Sequence, residues 1–100
     1  MSGRNSGQLP SGERYVAAEA NEFMARALAR FEPVLRRTAR QLTADPDLRE
    51  DLVQEGRVRL WELDPTRFDL RRVEDVGYLC RALINRMRRV WKAEMARCIR

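Results

Sequence analysis

From Glu13 to about Phe31 the apolar positions Tyr15, Val16, Ala20, Phe23, Ala27 and Phe31 mark the spacing of a helix with one buried face. Pro33 interrupts the pattern. A proline inside a helix removes one hydrogen bond and presses on the preceding turn, so a break is expected near Glu32. A second helix, with Pro33 in its first turn, would run to about Leu42. Thr43-Ala-Asp-Pro46 reads as a loop, and Asp47-Leu-Arg-Glu50 has the capping-box spacing that opens a third helix. That helix continues to about Leu63, where Asp64-Pro65 stops it. Residues 64–74 form a polar connector, and a fourth helix runs from about Asp75 nearly to the end. Residues 1–12 are rich in Ser, Gly and Pro and lack periodicity, so they are expected to be a disordered tail. No stretch alternates as a strand does. The pattern predicts an all-α protein, a compact bundle of about four helices over residues 13–100.

At 100° per residue the last helix divides cleanly. Val76, Leu79, Cys80, Leu83, Met87, Val90, Trp91 and Cys98 fall on one side, a stripe that must pack on the other helices. Tyr78, Arg81, Asn85, Arg88, Arg89 and Lys92 fall opposite, as a basic ridge with an aromatic and an amide set into it. In the third helix Leu48, Leu52, Val53, Gly56 and Leu60 make the core side. Its other flank carries Asp51, Gln54, Glu55, Val58 and Trp61, an acidic surface with an apolar patch. Trp61 is either an exposed anchor for a protein partner or core folded onto the connector; spacing alone favours neither.

Charge sharpens the ridge. The 100 residues carry 20 Lys and Arg against 15 Asp and Glu, a formal +5. Residues 78–100 hold seven of the basic side chains and one acid, whereas residues 1–77 sum to −1. A basic segment on a nearly neutral body points to a polyanion partner, because neutralising phosphates releases counterions. Arg and Lys reach phosphates, Asn can pair with a base edge, and Tyr can stack on an unpaired base.

Other chemistry is scarce. The chain has no histidine, which removes the commonest general base and metal ligand. Cys80 and Cys98 cannot form a zinc site alone and are expected to be reduced core thiols. There is no Ser/His/Asp set, metal-ligand cluster or phosphate-cradling glycine loop, so neither an enzyme, a cofactor nor a metal site is expected. No run of 18 apolar residues and no signal-peptide pattern occurs, so a cytoplasmic protein without a membrane partner is expected.

The strings Asp51-Leu-Val-Gln-Glu-Gly-Arg-Val-Arg-Leu-Trp61, Arg67-Phe-Asp69 and Tyr78-Leu-Cys-Arg-Ala-Leu-Ile-Asn85 together resemble region 2 of bacterial sigma factors of the sigma-70 superfamily. The likeness covers about residues 22–97. It implies that Asp51, Gln54, Glu55, Arg57 and Trp61 bind the clamp helices of the RNA polymerase β′ subunit. It also implies that the connector (Phe68, Arg71 and Arg72) helps hold a flipped base. Tyr78, Arg81 and Asn85 would then read the upstream part of the promoter minus-ten element, with Arg88, Arg89 and Lys92 on the DNA backbone. Most sigma factors carry Trp at the position of Tyr78 and a further aromatic at that of Leu79, which implies weaker melting here or melting helped by a partner. The likeness includes no region-4 helix-turn-helix. The chain is thus either a piece of a longer, ECF-like sigma factor or a stand-alone region-2 subunit that takes minus-thirty-five recognition from a second subunit. An anti-sigma factor is a further partner the resemblance allows. The rival reading is a polymerase-docking interaction module that contacts DNA backbone without reading sequence.

Overall fold

The computed structural model describes the backbone of residues 11–99 and side-chain surroundings for residues 21–98. Within that span the chain forms three helices rather than four: α1 (Ser11–Leu42), α2 (Pro46–Glu62) and α3 (Val73–Ile99). A single 3₁₀ turn, Pro65–Arg67, lies between α2 and α3. Of the expected tail, residues 1–10 lie outside the described residues, and Ser11 and Gly12 already belong to α1.

The break expected at Pro33 does not occur, and α1 runs through it. The buried positions Met24, Ala27, Phe31, Leu35, Thr38 and Ala39 keep one helical phase on both sides of the proline. Breaking the helix at Glu32 would throw Phe31 and Leu35 out of register on the shared core. Pro33 itself is exposed, and so is Ala29, whose carbonyl is the one left without its donor and can turn to water. Packing outweighs the local cost.

α2 starts at a different cap from the one the capping-box spacing suggested. Asp45 is the N-cap, its carboxylate accepting from the Asp47 backbone N–H at 2.9 Å, with Pro46 in the first turn. Thr43 Oγ1 accepts in turn from the Asp45 N–H. Glu50 instead reaches across to Arg36 of α1. α3 begins at Val73, two residues earlier than expected, and Asp75 in its first turn accepts from the Asp69 N–H at 2.8 Å.

The core lies between the three helices. Met24, Ala27, Phe31, Leu35 and Ala39 of α1 meet Leu52, Val53 and Leu60 of α2 and Leu79, Leu83 and Met87 of α3. Gly56 is buried where α2 packs on Leu35 of α1. A Cβ there would sit 2.6 Å from Leu35 Cδ2, so any side chain must displace a fully buried leucine. The buried stripe of α3 fades at Val90 and Trp91. Cys80 is half-buried, but Cys98, two turns beyond Trp91, is exposed, contrary to its expected place in the core. Both cysteines are free.

Ion pairs fasten α2 to both neighbours. Arg57 donates to Glu32 of α1 at 2.6 Å, and Arg36 donates to the same carboxylate at 3.0 Å. On the other side Arg86 of α3 donates to Glu55 at 3.2 Å and to Glu62 at 3.1 Å. Hydrogen bonding from Arg57 first, then the nearby charges, holds the Glu32 carboxyl below its ordinary range. Arg86 does the same to Glu62. Such carboxylates contribute stability above their unfolded pKa, near 4.5, and lose it as pH falls through their lowered folded values. Glu32→Gln is therefore expected to lower stability near neutral pH by about 1 kcal/mol or less. Urea titrations at a series of pH values should show the gap from wild type closing on acidification. A gap of constant size would mean that the carboxylate charge is not what matters.

Candidate functional site

α3 sorts its arginines by phase. Tyr78, Arg81, Asn85, Arg88, Arg89 and Lys92 are all exposed, as the sequence pattern required. Among the described residues, none of Arg81, Arg88, Arg89 and Lys92 takes part in an ion pair. Arg86 lies between ridge and core, is 22% exposed, and is tied to two carboxylates of α2. Its guanidinium is held firmly in the charged form, chiefly by the Glu62 hydrogen bonds. Four cations of one helix therefore face solvent without an internal partner, while a fifth is structural. Arg97, near the helix end, pairs locally with Glu94.

The connector is braced by short-range hydrogen bonds rather than by burial. Asp64 caps the 3₁₀ turn, accepting from both the hydroxyl and the backbone N–H of Thr66, and these bonds lower its pKa. Asp69 accepts from the Arg71 N–H and grips its guanidinium at 3.1 and 3.2 Å, which lowers the carboxyl pKa and raises that of Arg71. Arg71 is nonetheless 90% exposed. Arg72 is exposed too, with only a distant contact, at 4.0 Å, to Glu74. Phe68, half-buried, packs on the core and stacks on Tyr78 with ring centroids 5.5 Å apart and an interplanar angle of 21°.

Two clefts flank this stack. One, of about 460 Å³, is lined by Glu62, Leu63, Asp64, Arg67, Phe68 and Tyr78. The other, of about 530 Å³, lies between the connector and α1, where Phe23 and Arg26 meet Phe68, Leu70 and Arg71. An aromatic floor beside Arg67, which has no ion-pair partner among the described residues, and beside the exposed though paired Arg71 suits a planar, anionically tethered ligand such as an unstacked nucleotide.

On α2, Asp51, Gln54, Val58 and Trp61 share the outward face. Trp61 is 61% and Val58 43% exposed, so Trp61 does not fold back as core. The other two residues assigned to this face stand at its rims. Glu55 is half-buried against Arg86, and Arg57 against Glu32, so each is already engaged in an inter-helix ion pair. The reading of the sequence missed Glu62 and Arg67 in the cleft wall and the structural task of Arg86. Arg86 carried a usable signal: it falls at the edge of the Leu79–Leu83 stripe, where a half-buried arginine needs an acid.

The chain matches the family model for sigma-70 region 2 over residues 27–97. No curated protein and no solved structure matches it. The matched stretch runs from the buried Ala27 of α1 through all of α2 and the connector to the last turn of α3, and so contains both exposed faces. The chain belongs to the sigma-70 region 2 family.

Proposed function

We propose that this domain joins RNA polymerase to promoter DNA during transcription initiation, docking through α2 and capturing the minus-ten element through α3 and the connector. The family supports a sigma-factor-like role, and the charge geometry supports the division of labour. The observation that carries it is the set of four ridge cations without an internal partner, on a helix that pairs its remaining central arginine. Desolvating a charge is costly unless a counter-charge replaces water, so partner-free cations in a row are suited to phosphates. On this reading Asp51, Gln54 and Trp61 meet the β′ clamp helices, with Glu55 and Arg57 holding the face in place from its rims. Tyr78, Arg81 and Asn85 read bases, Arg88, Arg89 and Lys92 hold backbone, and the Phe68–Tyr78 stack with Arg71 and Arg72 receives an unstacked base. Unstacking costs a few kcal/mol, which stacking in the cleft and a cationic rim can offset. Minus-thirty-five recognition falls to another domain or subunit.

The ridge divides into two kinds of contact, and that division is the test. Arg88→Ala, Arg89→Ala and Lys92→Ala should each weaken binding to all promoters alike and flatten the salt dependence by about one unit of slope. Arg81→Ala and Asn85→Ala should instead compress the preference for a matched over a scrambled minus-ten element, by ~1–3 kcal/mol per lost bidentate contact. Open-complex formation by polymerase on matched promoter pairs reads both. Equal losses on the two DNAs for Arg81 and Asn85 variants would replace sequence reading by backbone clamping alone.

A further inference from the structure

The near-neutral charge of residues 1–77 conceals a separation by helix. Asp47, Asp51 and Gln54 line the outward side of α2, whereas Arg26, Arg30, Arg37 and Arg40 are exposed on α1. At 100° per residue these four arginines lie within about 80° of one another, along about 21 Å of helix. The described acids of α1, Glu22 and Glu32, do not cancel them. Glu32 faces α2, where it holds Arg36 and Arg57, and Glu22 pairs with Arg26 alone. Among the described residues Arg30, Arg37 and Arg40 have no ion-pair partner.

Two features narrow what this face can hold. Along this face the exposed residues Ala29 and Pro33 make a low floor over which a chain of phosphates can pass closely. The large exposed apolar side chains are Val58, Trp61, Val73 and Tyr78, none of them on the described part of α1. Hot spots of protein interfaces combine arginine with tryptophan and tyrosine; this face offers arginine without an aromatic beside it, whereas a polyanion needs only charge. The face is also continuous with the connector. Arg26, paired with Glu22, stands in the 530 Å³ cleft beside Phe68 and the Arg71–Asp69 pair, and Phe68 in turn stacks on Tyr78 at the head of the α3 ridge.

We propose that Arg30, Arg37 and Arg40 of α1, entered past Arg26, form a second track for the phosphate backbone of single-stranded DNA leaving the connector cleft. The inference rests on the reading above that α3 and the connector hold DNA. With no base-reading group between the arginines, the track binds any sequence.

The test uses the full chain bound to polymerase core and two forked DNAs that share one minus-ten element. One ends at that element, and the other carries a single-stranded extension beyond it. The triple variant Arg30→Ala/Arg37→Ala/Arg40→Ala should match wild type on the short DNA and lose the affinity that the extension adds. Three phosphate contacts on a single strand correspond to about two units of salt slope, so between 50 and 200 mM salt that added affinity should fall roughly 15-fold further for wild type than for the variant. Wild-type behaviour of the triple variant on the extended DNA overturns the track and leaves the face to an acidic protein surface. An equal loss on both DNAs also overturns it, since the arginines then act only through overall charge. A control variant, Arg88→Ala/Arg89→Ala/Lys92→Ala, should be weakened on the short DNA. If it is not, the reading of α3 fails, and the α1 track falls with it. These arginines are exposed and without ion-pair partners, so helicity should be unchanged throughout.

Discussion

Trp61→Ala combined with Gln54→Ala should weaken binding to an isolated β′ clamp fragment by roughly 30-fold or more, with helicity unchanged. The magnitude follows from the kind of contact. A tryptophan that is 61% exposed in the free domain brings large apolar area to an interface, and truncating such an anchor commonly costs ~2 kcal/mol or more. The fold should tolerate the change because neither side chain belongs to the core, which on α2 consists of Leu52, Val53 and Leu60. Glu55→Ala serves as a useful contrast. Its carboxylate is already paired with Arg86, so its loss should loosen α2 from α3 as well as reduce binding. Direct titration of the clamp fragment, with circular dichroism on each variant, separates the two effects. Unchanged affinity of the Trp61/Gln54 variant would remove α2 from the docking role.

Much of this arrangement is legible in the sequence because helical phase is a local property. The two faces of α3 follow from spacing alone, and Tyr78, Arg81, Asn85, Arg88, Arg89 and Lys92 are all exposed where the pattern puts them. The outward flank of α2 follows in the same way, down to the exposure of Trp61. The discrepancies arise where a distant residue decides. Pro33 looks like a breaker if read locally. The phase of Phe31 and Leu35 across it was already visible, but its weight depends on α2 and α3 packing against both. Cys98 keeps the phase of the apolar stripe yet lies beyond the point where other helices cover it, and phase cannot tell how long the covering helix is. Glu32 with Arg57, and Arg86 with Glu55 and Glu62, are separated by more than twenty residues in sequence. Nothing in local spacing chooses those partners among so many charges, so Arg57 and Glu55 look like free surface until the helices are assembled. The same assembly pairs Arg36 of α1 with Glu50 of α2 but leaves Arg30, Arg37 and Arg40 without an ion-pair partner among the described residues, which the summed charge hides.

The packing of α2 on α1 should reveal itself in a cycle between Leu35 and Gly56. Leu35→Ala removes a fully buried side chain and is expected to cost about 2–5 kcal/mol, the usual range for a leucine lost from a core. Gly56→Ala sits mid-helix, where alanine would ordinarily gain about 1 kcal/mol over glycine. Here the added methyl would stand 2.6 Å from Cδ2 of the fully buried Leu35, so that side chain must shift within the core. Overpacking of this kind typically costs about 1–3 kcal/mol, so the helix-propensity gain should be cancelled or reversed. Combining the two changes alters the balance. With Leu35 cut back to its Cβ, the methyl at residue 56 meets vacant space rather than a wall, and alanine's helical preference becomes available again. The double variant should therefore be more stable than the sum of the single effects predicts, by an interaction energy within the 0.5–3 kcal/mol found for residues in contact. Urea or thermal unfolding of the four proteins measures it. Strict additivity would mean that α1 and α2 do not approach at Gly56, and the placement of Asp51, Gln54 and Trp61 relative to α1 would have to be redrawn.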